Sequence, residues 1–175
     1  DAIGTQQTML CYDSNGHKKK LALPNYNFHS AIDKLLNVIG QELIAEHTLM
    51  GIGHRVVHGG EYFRHSVEIS PDVIEKIRLC IPLAPLHNPA NLAGVEVALA
   101  LLPDATPVAV FDTAFHATLP KRAFHYALPR QMVVQNGIRR YGFHGPSHRW
   151  VAGQAADYQA ETDDLMGEKM VVNMG

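Results

Sequence analysis

The chain reads as an α/β protein, a sheet whose strands are joined by crossover helices. Two observations carry that reading. Apolar runs without a helical period, GIGHRVV and PVAVFD, alternate with segments whose apolar residues step by three and four. Each run also ends in residues that carry chemistry, HGG after the first and DTAFH after the second. Ligands in open α/β sheets bind beyond the carboxyl ends of strands, so these are the places to look for a site.

The elements follow in order. Residues 12–20, YDSNGHKKK, join an Asn-Gly turn signal to a basic run and read as a solvated hairpin loop. From Asn27 to His47, Phe28, Ala31, Ile32, Leu35, Leu36, Ile39, Leu43 and Ile44 form one face of a helix. Residues 49–57 read as a buried strand. Ser70-Pro71-Asp72 supplies a capping side chain, a proline in the first turn and an acid at the positive end of the helix dipole. Val73, Ile74 and Ile77 then face the core. Asn88-Pro89 opens another helix with Leu92, Val95, Leu99 and Leu102 as its stripe, and Pro103 stops it. Residues 107–112 are a buried strand. Ser147 caps a helix through about Tyr158, and residues 169–173, KMVVN, are a last strand.

Composition narrows the function classes. The chain has 175 residues, 46% of them apolar, enough for a packed core. Fifteen Lys and Arg against 17 Asp and Glu argue against a polybasic nucleic-acid binder. No run approaches the ~18 apolar residues of a membrane helix; LAGVEVALALLP is short and carries Glu96. No signal peptide is visible. Two cysteines, Cys11 and Cys80, are too few for a disulfide framework and suit a reduced, cytoplasmic setting. The chain opens at Asp1 and closes on MVVNMG, and it reads as a fragment.

Three clusters could do chemistry. Arg55, flanked by His54 and two valines, must meet an anion or carry a large desolvation cost. Its planar fork suits a carboxylate or phosphate, or equally an internal Asp or Glu. Asp112, at the end of an apolar strand, could accept a proton, orient a reactant or hold a metal through water; it could also cap the TAFH segment. His58-Gly59-Gly60 lets backbone approach a ligand or simply turns the chain. His144, between glycines in GFHG, and His87, in the rigid loop LAPLHNP, complete the set. The pairs His54/His58 and His144/His148 have zinc-like spacing. One pair lies on a strand, the other is interrupted by Gly145 and Pro146, and no third ligand follows. His17, His29, His47, His65 and His125 read as surface or satisfied histidines, and Arg139-Arg140 as a solvated pair. Together these residues suggest a cleft of Arg, Asp and His for an anionic substrate.

The strings GHRVVHGG, LAPLHNPANLAGVE, VAVFDTAFHATLP and GIRRYGFHGPSH, in this order, closely resemble acetate kinases. The resemblance spans roughly residues 50–152 and extends more weakly to the end. It implies the actin-like ATPase (ribonuclease H-like) fold, here without its opening strands and most of the second lobe. Residues 1–165 would form a truncated first lobe, and 166–175 the opening strand of a second, nucleotide-binding lobe. It also implies phosphoryl transfer from ATP to acetate with Mg²⁺, giving ADP and acetyl phosphate, in a protein that is a homodimer at full length. By resemblance, Arg55 matches the substrate-carboxylate arginine, and Val57, Leu86 and Phe143 line the pocket for the methyl group. His87 and Asp112 match active-site residues, and His144 matches the histidine that stabilises the transferring phosphoryl group.

Departures accompany the match. The family's serine-rich phosphate turn and its later arginine and glutamate have no counterpart here, so the fragment alone is expected to be inactive. Where the family reads GFHGTSH, Pro146 replaces the threonine and removes a backbone donor beside His144. Where it reads HLGNG, this chain ends NMG, which puts Asn173 and Gly175 at nucleotide-binding positions. A kinase for propionate or another short carboxylate, or a non-catalytic protein on a degenerate kinase scaffold, are the competing readings.

Overall fold

In the computed structural model, residues 2–14, 16–42 and 49–162 are described. The strand expected at 169–173, the end of the first helix with Leu43 and Ile44, the second-lobe boundary, Asn173 and Gly175 lie outside these residues.

A hairpin comes first. Strand β1 (Met9–Ser14) pairs antiparallel with β2 (His17–Ala22), in a register that sets Ser14 opposite His17. Gly16, at φ +80°, supplies the left-handed residue that such a two-residue turn needs. The basic run therefore lies on a strand, with every β2 side chain exposed, and not in a loop. Helix α1 (Phe28–Glu42) follows and packs on a later helix, its Ile32 lying beside Gly94.

The main sheet has three strands in the order β3 (Gly51–Val56), β5 (Thr106–Phe111), β4 (Val67–Glu68). β3 and β5 are parallel, Gly51 opposite Thr106 through Val56 opposite Phe111. Their crossover contains helices α2 (Pro71–Leu79) and α3 (Asn88–Leu101). β4 runs antiparallel to β5 and has only two residues, too short to leave an alternating pattern in the sequence. Ser70 caps α2 by accepting from the Val73 N–H at 3.4 Å. Val73 and Ile77 of α2, Leu92 and Val95 of α3, and Val56, Ala109 and Phe111 of the strands meet in one core. Phe63 stacks on Phe111 there, with centroids 4.3 Å apart.

The chain beyond β5 is irregular. A 3-10 turn (Phe115–Thr118) leads to short helices α4 (Lys121–Phe124) and α5 (Arg130–Asn136), then to α6 (Gly145–Thr162). α6 starts two residues before the expected cap, Ser147. The His148 N–H bonds to the His144 carbonyl at 3.0 Å, so the helix opens at Gly145 and Ser147 sits inside its first turn. Pro146 occupies a position where a helix makes no use of the N–H, so the exchange for threonine costs the helix nothing.

Candidate active site

Strand β5 delivers Asp112 one residue past its last ladder pair, and parallel pairing brings Arg55 of β3 beside it. Arg55 donates to both carboxylate oxygens, Nε to Oδ1 at 3.0 Å and Nη2 to Oδ2 at 2.7 Å. The pair is lopsided. The Asp112 side chain is 2% exposed and that of Arg55 61%, so a buried carboxylate anchors a guanidinium that reaches into solvent. Asp112, its hydrogen bonds above all, raises the Arg55 pKa, keeping it charged. Of the alternatives open on sequence grounds the internal ion pair is formed, and the carboxylate uses only one edge of the fork. Nη1 and the outer proton of Nη2 remain for a second anion. Asp112 does not cap the TAFH segment; the 3-10 turn there has Ala114 before it and no side-chain cap.

A hollow of about 430 Å³ opens around this pair. Its walls include Val57, Leu86, His87, Phe143 and His144, so four separated stretches of sequence converge on one place. Leu83, Ala84 and Pro85 extend the apolar side. Leu86, one of the lining residues, is 86% exposed.

His144 has φ +53°, a left-handed conformation that costs a non-glycine residue about 1–2 kcal/mol. The next residue shows what holds it there. Gly145 donates its N–H to the Asp112 carbonyl at 2.9 Å, and a Cβ on it would lie 2.4 Å from that oxygen. Only glycine permits this approach, which locks the start of α6, and His144 with it, to the end of β5. Phe143 is fixed separately, its carbonyl 2.9 Å from His116 Nε2.

The HGG segment turns and packs. Gly60 has φ +58°, and a Cβ on Gly59 would lie 2.8 Å from the Phe111 ring. His58 is buried, its ring edge-on to Tyr141 at 4.5 Å and to Phe143 at 5.5 Å, and burial lowers its pKa. His17, His29, His65 and His125 are exposed; His47 lies outside the described residues. Arg139 is not solvated as expected. Its side chain is 9% exposed, its guanidinium 3.9 Å from the Phe124 ring centre and 3.5 Å from a Glu61 carboxylate oxygen. Nothing in a two-residue basic run marks such burial, which depends on Phe124, 15 positions earlier in the chain, and on Tyr141 just after it. Asn88, Asn91 and Thr113 were also missed as site residues; each accepts a backbone N–H from the segment after β3.

Among the described residues, no three His, Cys, Asp or Glu side chains are grouped to hold a metal ion. No described helix is long and apolar enough to cross a membrane.

A family model described as the acetokinase family matches residues 1–172. The chain belongs to the acetokinase family. It is 48% identical over 157 residues to an acetate kinase of Pseudomonas aeruginosa (strain LESB58), and 43% identical over the same length to one of Deinococcus radiodurans. Both alignments cover 90% of this chain and 39% of the relative. The chain thus spans about two fifths of the curated relatives it matches. Among solved structures it is similar to a propionate kinase from Francisella tularensis, with TM-score 0.86 and 40% identity over 91% of this chain and 41% of that one. An acetate kinase of Porphyromonas gingivalis gives TM-score 0.80 and 44% identity over 90% and 41%. The α/β architecture is therefore that of part of the actin-like ATPase fold of acetate and propionate kinases.

Proposed function

We propose that the full-length parent of this chain transfers the γ-phosphoryl group of ATP to the carboxylate of acetate, giving acetyl phosphate and ADP. The observation that carries the reading is the free edge of Arg55, presented by a buried carboxylate into a hollow with apolar walls and two histidines. A small organic acid fits that arrangement: its carboxylate pairs end-on with Nη1 and Nη2 of Arg55, and its methyl group lies toward Val57 and Phe143.

Phosphoryl transfer asks a protein mainly to align the reactants and to stabilise charge on the equatorial oxygens. Acetate is ionised at neutral pH, so no base is needed to create the nucleophile. Arg55 offsets repulsion between the acid and the triphosphate. His144, strained and fixed at the start of α6, donates a hydrogen bond toward an equatorial oxygen. His87 faces the same space from the opposite loop. Asp112 orients Arg55 rather than removing a proton. Asp112, the one carboxylate among the described residues that line the hollow, would be the group to meet Mg²⁺ brought by the nucleotide, through water on the ion. The ion, when bound, neutralises charge developing on the phosphates. Two free cysteines accord with a reduced, cytoplasmic setting.

The test is acetyl phosphate formation by the purified parent, trapped as a hydroxamate, together with Arg55→Ala. Loss of a charged hydrogen bond worth ~1.5–3 kcal/mol should raise the acetate KM about ten- to a hundredfold while the ATP KM changes little. Unchanged acetate kinetics in a folded variant would remove Arg55 from the site. Likeness to a propionate kinase favours propionate as a second acceptor. One methylene in an apolar pocket is worth only ~1–3 kcal/mol. A higher kcat/KM for propionate than for acetate would reverse the order.

A further inference from the structure

The stretch that carries one wall of the hollow is held almost entirely by side chains. β3 leaves the ladder after Val56, whose carbonyl accepts the last bond, from the Asp112 N–H at 3.0 Å. The next four backbone N–H groups all go to side-chain acceptors. Val57 donates to Asn91 Oδ1 at 3.1 Å, His58 to Asn88 Oδ1 at 3.1 Å, Gly59 to Thr113 Oγ1 at 3.1 Å and Gly60 to His58 Nδ1 at 3.0 Å. Asn88 also returns a bond, Nδ2 to the His58 carbonyl at 3.0 Å. Its amide thus reproduces the paired donor and acceptor of a neighbouring strand, and it is fully buried. Asn88 directly follows His87 in the chain. One side chain therefore ties the wall carrying Leu86 and His87 to the wall carrying Arg55 and Val57.

We propose that Asn88, with Asn91 in support, is a positioning residue that sets the distance between these two walls, and so the size of acid the hollow accepts. The inference rests on the carboxylate-kinase reading above. A carboxamide suits the task because it donates and accepts at once without charge; aspartate would offer no donor to the His58 carbonyl, and leucine would fill the space with neither group. A buried amide left without its partners would also let the segment relax, since no main-chain bond replaces those lost.

The experiment uses the full-length parent, Asn88→Asp, Asn88→Ala and Asn91→Ala. It measures kcat and KM for acetate, propionate, butyrate and ATP, and amide hydrogen exchange at Val57 and His58. The expected result is a rise of about five- to tenfold in acetate KM, the scale of one lost hydrogen bond, with the ATP KM within about twofold. The propionate-to-acetate ratio of kcat/KM should rise, and exchange at Val57 and His58 should quicken. Asn91→Ala, at a half-buried position, should show the same pattern more weakly, and it serves if the Asn88 variants do not fold. A folded variant with an unchanged acid preference and unchanged exchange would overturn the inference. So would equal losses for all acids and ATP, which is what general destabilisation produces. Failure of the wild-type parent to phosphorylate any of these acids would instead sink the carboxylate-kinase reading, while the exchange data would still test the clamp.

Discussion

His144 is held in a conformation that its own side chain disfavours, and the force holding it comes from the neighbouring Gly145 seated on the Asp112 carbonyl. Strain maintained in this way, beside a hollow, is the mark of a side chain being aimed. Two substitutions separate aim from stability. His144→Ala removes the imidazole and keeps the disfavoured backbone; His144→Gly removes both. In the parent, both should lower kcat by a similar factor, with acetate KM little changed, as expected of a contact made in the transition state. The glycine variant should be the more stable of the two, by up to about 1 kcal/mol in urea unfolding. Equal stabilities would show that the backbone is unstrained, and a pure KM effect would take His144 off the phosphoryl group. The place of this residue in GFHG marked it on sequence grounds as a histidine with little room for helical packing. The left-handed backbone was not legible, because it depends on a contact with a strand end more than 30 residues earlier.

At the scale of elements, the strands and helices that repeat a period over several turns were readable, and the short pieces were not. β3, β5, α2 and α3 follow from apolar spacing, capping serine and helix-opening prolines, but β3, expected to be buried, alternates exposed with covered residues and buries only Val56. β4, with two residues, and α4, with four, offer too few positions for any period. β3 carries a consequence of its own. His54 lies on the same strand face as Val56, a core residue, and its Nε2 atom is buried with no hydrogen-bond partner. Burial lowers the pKa of His54, as it does that of His58 just beyond the strand, below the ordinary value of 6.5. The unfolded chain therefore takes up these two protons first as the pH falls. Their contribution to stability is complete above about pH 6.5 and is lost as the pH drops from there toward the folded-state values. The parent's urea midpoint should be lower at about pH 5.5 than at about pH 7.5, and His54→Leu should flatten the difference. A midpoint that rises on acidification would contradict this account.

At the scale of the whole molecule, the core among the described residues is well made on one side of the sheet and open on the other. Val56, Ala109 and Phe111 are sealed by α2 and α3, while Gly51, Gly53 and Arg55 alternate with them on the exposed face of β3. Among the described residues, β3 is also an edge strand, paired only with β5. Two glycines leave part of its backbone unguarded; Arg55 is its one charged side chain, and it carries no proline to blunt the edge. Large apolar side chains are exposed as well: Met50, Leu86, Val134 and Trp150 are each at least two-thirds accessible. A chain that spans about two fifths of its relatives and leaves such surfaces open should associate through them when isolated. Purified 1–175 should therefore elute as a concentration-dependent mixture of aggregates and give no cooperative melt above about 50 °C, within the usual mesophile range. Its Arg55–Asp112 hollow, although assembled, is expected not to produce acetyl phosphate by itself, because the chain spans only about two fifths of the relatives it matches. Replacing Met50 with lysine next to the β3 edge should increase the soluble fraction, because a charge there opposes strand addition. A monodisperse wild-type fragment with a sharp transition above that temperature would show that these surfaces are tolerated in water, and would overturn the view that they need the rest of the protein.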